Sequence, residues 1–374
     1  QIADKAVMMM NGHSPMPSWQ QLLATLDDSF DSAKSAVLTR VDPTGASPVL
    51  GHLSRVLDYN VPHGKKTRGV TVLLAWAAFA KDRAIADVET ACPAAWAVEL
   101  LQASFLVHDD IMDGSQTRRG RPCWFRNDGV GLMAVNDGIF LDQALYALLS
   151  SAYSEHPQYS QLMDLFHSVT LTTCIGQALD MSLGVSGLTW SAYREMVCRK
   201  TAHYSFHLPV AAALLLRNRP ELVDVAKPLL LRIGEYFQAQ DDYLDFYGDP
   251  AETGKIGTDI QEAKCSWLAL TALDRLRAAA SAKPDGDASG GDNSPSPSEA
   301  SSLLARFQDC YGQSEPDRVA AVGDIYRRLR LDAAYAEFEA AEFASIDASV
   351  EQLDSPELRL VCRTLLQLIH GRRK

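Results

Sequence analysis

Two stretches of the chain carry three aspartates at the same spacing of i, i+1 and i+4. They are Asp109, Asp110 and Asp113 in HDDIMD, and Asp241, Asp242 and Asp245 in QDDYLD. On a helix of about 3.6 residues per turn, the first and last carboxylates of each stretch lie one turn apart on one face. Oxygen-only ligands suit Mg²⁺ or Mn²⁺, and Mg²⁺ completes its shell with waters and phosphate oxygens. The pattern therefore predicts metal-assisted binding of a phosphate-bearing substrate, the alternative being two solvated acidic helix faces.

Basic residues follow both aspartate stretches. Arg118 and Arg119 come within two turns of the first stretch, and guanidinium groups bind phosphate oxygens through paired hydrogen bonds. After the second stretch, Lys255 and Lys264 bracket Asp259 in a segment punctuated by glycine and proline. That punctuation predicts a loop, so we expect Lys255 to lie on a lid that closes over a bound diphosphate.

The chain resembles the short-chain trans-prenyltransferases, among them the farnesyl diphosphate synthases, from about Asp58 to its C-terminus. The resemblance rests on ordered motifs, which are NVPHGKKTRG, ELLQASFLVHDDIMDGSQTRRGRPCW, GQALDM, RKTAHYSFHLP, FQAQDDYLDFYGDP and TGKIGTDIQEAKCSWL. It implies an all-α, single-domain isoprenoid-synthase helical bundle with a central cavity between two aspartate-rich helices. It also implies head-to-tail condensation of isopentenyl diphosphate with dimethylallyl and geranyl diphosphate to farnesyl diphosphate.

The resemblance assigns the metal and allylic-diphosphate site residue by residue. Asp109, Asp113 and Asp241 would ligate three Mg²⁺ ions, with Mn²⁺ a possible substitute. Asp110, Asp242 and Asp245 would orient those ligands or their waters. Three basic residues match the positions that contact the allylic diphosphate. They are Arg118, Lys200 and Lys255.

The resemblance also implies a separate pocket for isopentenyl diphosphate. The residues matching it are Lys65, Arg68, Gln102 and Arg119. Lys200, Thr201 and Gln240 would face the reacting carbons and stabilise the allylic cation. The remaining substrate-binding positions are Tyr204, Phe237, Asp259 and Lys264. Two basic pockets favour condensation over cyclisation, because a condensation holds two diphosphates at once.

Ser104 and Phe105 lie one helical turn before Asp109 and should form the floor beneath the growing prenyl chain. The resemblance implies bulky rings at both positions in enzymes that stop at farnesyl diphosphate. Serine at position 104 opens volume at the closed end of an apolar pocket, and steric exclusion is how such pockets count methylenes. We therefore predict farnesyl diphosphate together with further elongation to geranylgeranyl diphosphate.

Composition limits the class of protein. The 374 residues are 47% hydrophobic, and the net charge of −12 disfavours nucleic acid as a partner. No apolar run reaches the roughly 20 residues that span a bilayer, so we expect a soluble cytoplasmic enzyme, with organellar targeting left open. The seven cysteines form no CxxC pair, which indicates reduced thiols.

The chain organisation predicts one prenyltransferase domain over residues 18–374, preceded by a disordered N-terminal segment, residues 1–17. Residues 283–302, KPDGDASGGDNSPSPSEASS, are expected to be a disordered surface insert. Apolar residues recur at helical spacing through most of 70–106, 132–153 and 159–183. The resemblance further implies a homodimer packed through 130–150.

Two other functions are compatible with this scaffold. A terpene synthase would act on a single prenyl diphosphate, and the basic residues Lys65 and Arg68 argue against it. An inactive binding subunit of a heteromeric synthase would be expected to have lost an aspartate stretch, and both are intact. Bisphosphonates should bind the three-metal site, because they mimic the allylic diphosphate.

Overall fold

A computed structural model describes residues 16–80, 85–253, 257–282 and 295–371. Across these ranges the regular structure is helical apart from one ribbon of two short antiparallel strands, Thr117–Arg118 (β1) and Arg121–Pro122 (β2). The all-α class is therefore confirmed. None of the described helices is both long and apolar enough to cross a membrane.

The helices before the middle of the chain are α1 Trp19–Asp28, α2 Phe30–Val41, α3 Leu50–Asn60, α4 Thr67–Ala78, α5 Ile85–Glu89, α6 Cys92–Met112, α7 Met133–Tyr153 and α8 Tyr159–Ser182. Those that follow are α9 Trp190–Val197, α10 Leu208–Leu216, α11 Glu221–Tyr247, α12 Pro250–Thr253, α13 Trp267–Ala280, α14 Pro297–Cys310, α15 Pro316–Arg328, α16 Leu331–Glu351 and α17 Pro356–Ile369. A π-helical segment, Cys198–His207, joins α9 to α10.

Polar side chains fix where several helices begin. Ser18 caps α1 by accepting from the Gln21 amide, and the Gln21 side chain accepts from the Ser18 amide in return. Helix α1 therefore begins directly after Ser18. Ser266 caps α13 through one hydrogen bond only, by accepting from the amide of Ala269. That cap fixes the direction in which α13 leaves the loop after the second aspartate stretch.

The chain divides into two compact units. The first comprises Gln1–Thr172, Ala202–Ile233 and Ile346–Ile369. Its helix α4 is buried from Gly69 to Ala78, and a helix that is apolar all round belongs inside a core. A Cβ at Gly69 would lie 3.0 Å from Cγ of Glu99, so glycine permits this close approach of α4 to α6. The Gly69 amide donates a 2.7 Å hydrogen bond to the buried Glu99.

The second unit comprises Thr173–Thr201, Gly234–Ser345 and His370–Lys374. Its core is rich in aromatic rings from α13 to α16. Trp267 packs edge-on against Tyr335 at 5.5 Å, and Phe307 stacks on Tyr311 at 4.8 Å. These rings pack beside the C-terminal half of α11, which carries the second aspartate stretch. The aspartates of that stretch therefore stand on a rigidly packed helix.

The structure refines one detail of the predicted organisation and corrects another. The helical spacing over 70–106 is divided among α4, α5 and α6, with α4 ending at Ala78 and α6 beginning at Cys92. The predicted insert is too long, because Ser296 caps α14 and residues 297–302 are helical. Proline at the first helical position favours that start, since its missing amide hydrogen is not needed there. Residues 1–15 and 283–294 lie outside the described residues, so the disorder expected there stays a prediction.

Candidate active site

The first aspartate stretch lies at the C-terminal end of α6. Asp109 and Asp110 occupy its last turn, and Asp113 caps it, with its amide donating to the Asp109 carbonyl. The Asp110 side chain is 5% exposed, whereas that of Asp109 is 22% exposed. One carboxylate of the stretch is thus held inside the protein while its neighbour reaches solvent.

A tight hairpin returns Arg118 to this stretch. Arg119 and Gly120 both have positive φ, at 54° and 73°, which matches the two-residue turn that joins twisted antiparallel strands. Arg118 donates through Nε and Nη2 to Oδ1 of Asp110, at 2.9 and 2.6 Å, and its Nη2 lies 3.3 Å from Asp109. Burial opposes the charge on Arg118, but the two carboxylates outweigh it and raise its pKa. The hairpin therefore holds Arg118 against the first aspartate stretch.

A second basic group lies in the same unit, around the loop before α4. Arg119 packs over Gly64, where a Cβ would come 2.7 Å from Nε of Arg119, and Nη1 donates to the carbonyl of Asn60. Burial, followed by the nearby charges of Arg68 and Arg118, lowers the pKa of Arg119 despite the opposing effect of Glu99. Packing these like charges together creates positive potential that favours an anion.

Arg68 links this basic group to the π-helical segment. Its guanidinium donates to the hydroxyls of Tyr204 and Ser205, at 2.9 and 2.8 Å, and lies 4.6 Å from the Tyr204 ring centre. Lys65 is exposed just before α4. Gln102 is buried on α6, and its side-chain oxygen has no hydrogen-bond partner among the described residues. All four predicted isopentenyl-site positions therefore belong to the first unit. Lys65, Arg68 and Arg119 lie around α4 and the hairpin, and Gln102 lies on α6.

The two predicted chain-length residues sit on α6 as expected. Ser104 is 3% exposed, and Phe105 is half-buried. Phe105 meets Tyr204 edge to face, with ring centres 5.3 Å apart. Tyr204 therefore contacts the chain-length ring on one side and the Arg68 guanidinium on the other, so the two predicted pockets share one aromatic side chain.

In the second unit, the Asp242 carboxylate is buried and accepts three hydrogen bonds from protein donors. It accepts from the Tyr193 hydroxyl at 2.8 Å, the Gln238 amide group at 2.9 Å and the Trp267 backbone amide at 2.8 Å. Burial nevertheless raises its pKa to about 7. Asp245 accepts from the backbone amide of Asp259 at 3.1 Å. These two carboxylates thus serve to fix the loop and helix around them.

Lys200 and Lys264 share the carboxylate of Asp180. This residue lies in the GQALDM motif and had no role assigned to it from the sequence. Oδ2 of Asp180 lies 2.6 Å from Nζ of Lys200 and 2.8 Å from Nζ of Lys264. Burial alone would raise the pKa of Asp180, but the two ammonium groups lower it. A Cβ at Gly176 would lie 2.2 Å from the Lys200 amide nitrogen, so glycine lets α8 approach the π-helical segment. The sequence feature that could have pointed to this ion pair is Gly176, which lies four residues before Asp180.

Two other residues predicted to face the reacting carbons, Thr201 and Gln240, are held by neighbouring side chains. The Thr201 hydroxyl donates to Gln238 at 2.8 Å. Gln240 is buried and donates to Glu339 at 3.2 Å, while its side-chain oxygen has no partner among the described residues. Phe237 is half-buried on the same helix, and Lys255 lies outside the described residues. The unsatisfied oxygen of Gln240 is a fixed dipole with its negative end available.

The six aspartates differ in burial. Asp110 and Asp242 are buried, and the partly exposed Asp245 accepts from the Asp259 amide. The predicted direct ligands Asp109, Asp113 and Asp241 are partly exposed, and Asp109 also lies 3.3 Å from Nη2 of Arg118. Within the part of the chain that the structure describes, no cluster of three or more His, Cys, Asp or Glu side chains is arranged to hold a metal ion. A Mg²⁺ bound by one or two of these carboxylates would therefore complete its shell with water and phosphate oxygens, which is its usual habit.

Comparisons with known proteins show the family. The polyprenyl synthetase family model matches residues 51–285. Farnesyl pyrophosphate synthase 2 of Arabidopsis thaliana is 39% identical over 86% of this chain and 90% of its own, and farnesyl pyrophosphate synthase of Bos taurus is 37% identical over 98% and 100%. The structure of T. brucei farnesyl diphosphate synthase complexed with bisphosphonate BPH-722 superposes with a TM-score of 0.83, at 30% identity, covering 94% of this chain and 100% of that one. The chain therefore belongs to the polyprenyl synthetase family.

Proposed function

We propose that this protein condenses isopentenyl diphosphate with dimethylallyl and then geranyl diphosphate to give farnesyl diphosphate. The observation that carries the proposal is that the cations of the first unit have different partners. Arg118 is paired with the aspartates, whereas its neighbour Arg119 packs over Gly64 before α4, and Arg68 donates to Tyr204 and Ser205. A condensation must hold two diphosphates at once, and we assign Arg118 to one diphosphate and Arg68 with Arg119 to the other.

The leaving diphosphate would be held by Arg118 and Lys200, both of which now contact carboxylates. Preorganised positive charge stabilises the negative charge that develops as the C–O bond breaks, and it costs little reorganisation during the reaction. Mg²⁺ held by Asp109, Asp113 and Asp241 would add Lewis-acid charge to the same diphosphate. Lys264 would keep Asp180 occupied while Lys200 turns toward the substrate.

The allylic cation would face the Thr201 hydroxyl and the unpartnered oxygen of Gln240. Oriented dipoles with their negative ends toward a developing positive charge lower its energy in a water-poor site. Glu339 holds the amide end of Gln240 and so keeps its oxygen pointing away from that contact. The proton released at the end is assigned to the departing diphosphate, so no dedicated protein base is invoked.

Product length follows from the floor under the chain. Ser104 places a small side chain at a fully buried position, and Phe105 is braced by Tyr204. We assign farnesyl diphosphate as one main product and geranylgeranyl diphosphate as a second. Bisphosphonates are expected to occupy the allylic diphosphate site, as the bisphosphonate complex of the T. brucei enzyme suggests by analogy.

Exposed apolar side chains at the start of α7 support a homodimer. Leu132, Met133 and Ile139 are 77%, 54% and 52% exposed. Side chains of this size clustered at the surface mark interaction sites in soluble proteins. Ile139→Glu should convert a dimer to monomer in light scattering after gel filtration, and a monomeric parent protein would contradict the assignment. The cytoplasmic compartment stays a prediction, to be checked by imaging the tagged chain in cells.

One experiment tests the reaction. The purified chain is incubated with Mg²⁺, labelled isopentenyl diphosphate and dimethylallyl, geranyl or farnesyl diphosphate, and the dephosphorylated products are separated by chromatography. We expect C15 and C20 alcohols from the first two starters and C20 from the third. Cyclic hydrocarbons would indicate a terpene synthase instead, and the absence of any product would indicate an inactive binding subunit.

A further inference from the structure

The second unit contains an open cavity that the proposed reaction does not use. It lies between α9, α11, α13 and α16 and has a volume of about 420 Å³, within the range of small-molecule sites. Five aromatic side chains line it, namely Trp190, Tyr193, Tyr236, Trp267 and Phe338. Trp190 meets Tyr193 edge-on at 5.7 Å, and Trp267 lies 5.2 Å from Phe338. Pairs of rings in contact make these walls rigid and predominantly apolar.

The charges lining the cavity favour a cation. Glu235 and Glu342 are half-buried in its lining, and the single positive residue there, Arg194, is exposed. Aromatic faces attract cations through their negative π-electron density, and carboxylates add direct charge pairing. The lining therefore complements an amphiphilic organic cation with an apolar or aromatic body and an ammonium group.

Two cavity residues also hold the second aspartate stretch. Tyr193 places its ring in the lining and donates its hydroxyl to Oδ2 of Asp242 at 2.8 Å. Trp267 places its ring there, and its backbone amide donates to the same oxygen at 2.8 Å. Both donors to that oxygen thus come from residues that an occupant of the cavity would touch. Asp242 neighbours Asp241, one of the predicted metal ligands.

We propose that this cavity is a second binding site, for a small amphiphilic organic cation, whose occupancy shifts Asp242 and lowers turnover. A ligand packed against Tyr193 and Trp267 contacts both residues that donate to Oδ2 of Asp242, and a shift of either residue alters one of those hydrogen bonds. The binding half of this inference rests on the cavity alone. The effect on turnover rests on the proposed function.

Binding is measured by calorimetry with three probes that differ only in their head group, 4-phenylbutylammonium, 4-phenylbutanol and 4-phenylbutyrate. We expect the ammonium probe to bind about tenfold more tightly than the alcohol, with the carboxylate weakest. Glu235→Gln combined with Glu342→Gln should reduce ammonium affinity to that of the alcohol. Glu337→Gln, on the same helix but outside the lining, is the matched control and should change nothing.

Thr271→Trp fills the cavity and should abolish binding of the ammonium probe. Phe338→Ala, which removes one wall, serves as a second variant if the larger side chain prevents folding, and it should weaken binding. Equal affinity for all three probes, no binding at all, or unchanged binding in both variants would overturn the site.

Turnover in the same titration tests the coupling to Asp242. We expect kcat to fall about fivefold or more at saturation in the parent protein and to stay constant in Thr271→Trp. A rise in KM for the allylic substrate with unchanged kcat, present also in Thr271→Trp, would show that the probe binds the active site and would overturn the coupling. Because calorimetry needs no substrate, failure of condensation leaves the binding test decisive, and failure of binding leaves condensation intact.

Discussion

Nζ of Lys200 lies 2.6 Å from Oδ2 of the buried Asp180, and this ion pair joins the π-helical segment to α8. The same carboxylate oxygen also pairs with Nζ of Lys264, at 2.8 Å. One buried anion therefore sets the position of two cations that the sequence analysis had assigned to substrate binding.

Asp180→Asn should leave both ammonium groups without a charged partner and lower kcat/KM by about 10- to 100-fold. The physical reason is loss of orientation, since the lysines keep their charge but not their fixed position. Steady-state kinetics measure the effect. Asp164→Asn, on an exposed part of the same helix, is the control and should retain parental activity. Parental kinetics in Asp180→Asn would refute the anchoring role.

Arg118→Lys keeps the charge but loses the fork that places Nε and Nη2 on Asp110 together. We expect kcat to fall about 100-fold, because a compact ammonium cannot match the paired oxygens of a diphosphate. The comparison variant is Arg126→Lys, whose parent side chain donates to the carbonyls of Gly114 and Ser115. Equal losses in the two variants would mean that Arg118 acts only through the fold of the hairpin.

Chain length should respond to the volume under the metal site. Ser104→Phe is expected to remove the C20 product and keep C15, whereas Phe105→Ala should increase C20 at the expense of C15. Steric exclusion at the closed end of the pocket is the cause. Product chromatography with excess isopentenyl diphosphate measures the ratio of C20 to C15. Ser104→Ala, which changes the side-chain volume little, is the control and should keep the parental ratio. A parent protein that makes C15 alone would show that another side chain closes the floor.

Metal removal should abolish condensation, because the net charge of −12 disfavours diphosphate binding without added cations. Dialysis against EDTA followed by assay in metal-free buffer checks this, and Mg²⁺ or Mn²⁺ should restore activity. Substantial turnover before metal is returned would contradict the assigned roles of Asp109, Asp113 and Asp241.

Stability in acid should depend on His207. Its ring is buried, neither ring nitrogen has a partner among the described residues, and burial lowers its pKa to about 3. In the unfolded chain the imidazole takes up a proton near pH 6.5, while in the folded protein it does so only near pH 3. The unfolded state therefore binds more protons between these values, and the free energy of unfolding decreases as the pH falls from about 6.5 to about 3.

His207→Phe should remove up to about 3 kcal/mol of this acid sensitivity between pH 7 and pH 4. Urea unfolding at both pH values measures the difference. His167→Phe, at an exposed position stacked on Tyr146, is the matched control and should keep the parental pH dependence. An identical slope for the parent and His207→Phe would show that the buried ring does not titrate as proposed.

The candidate metal-binding and phosphate-binding groups could be named from local sequence because they lie at helical or hairpin spacing. The one-turn separation of Asp109 and Asp113, and the return of Arg118 to Asp110, both follow from short-range geometry. The caps at Ser18 and Ser266 are equally local, since a cap depends on three or four residues.

The amino-acid sequence by itself determined the all-α class, the two aspartate stretches and the basic residues that accompany them. Only the tertiary structure decided which of these charged groups form ion pairs or hydrogen bonds, and with which partners. Asp180 meets Lys200 and Lys264 across 20 and 84 residues, and Asp242 meets Tyr193 and Trp267 across 49 and 25. Such contacts depend on how helices pack, and packing is set by the whole core. A pattern of neighbouring residues therefore names the reactive groups but not the partners that hold them in place.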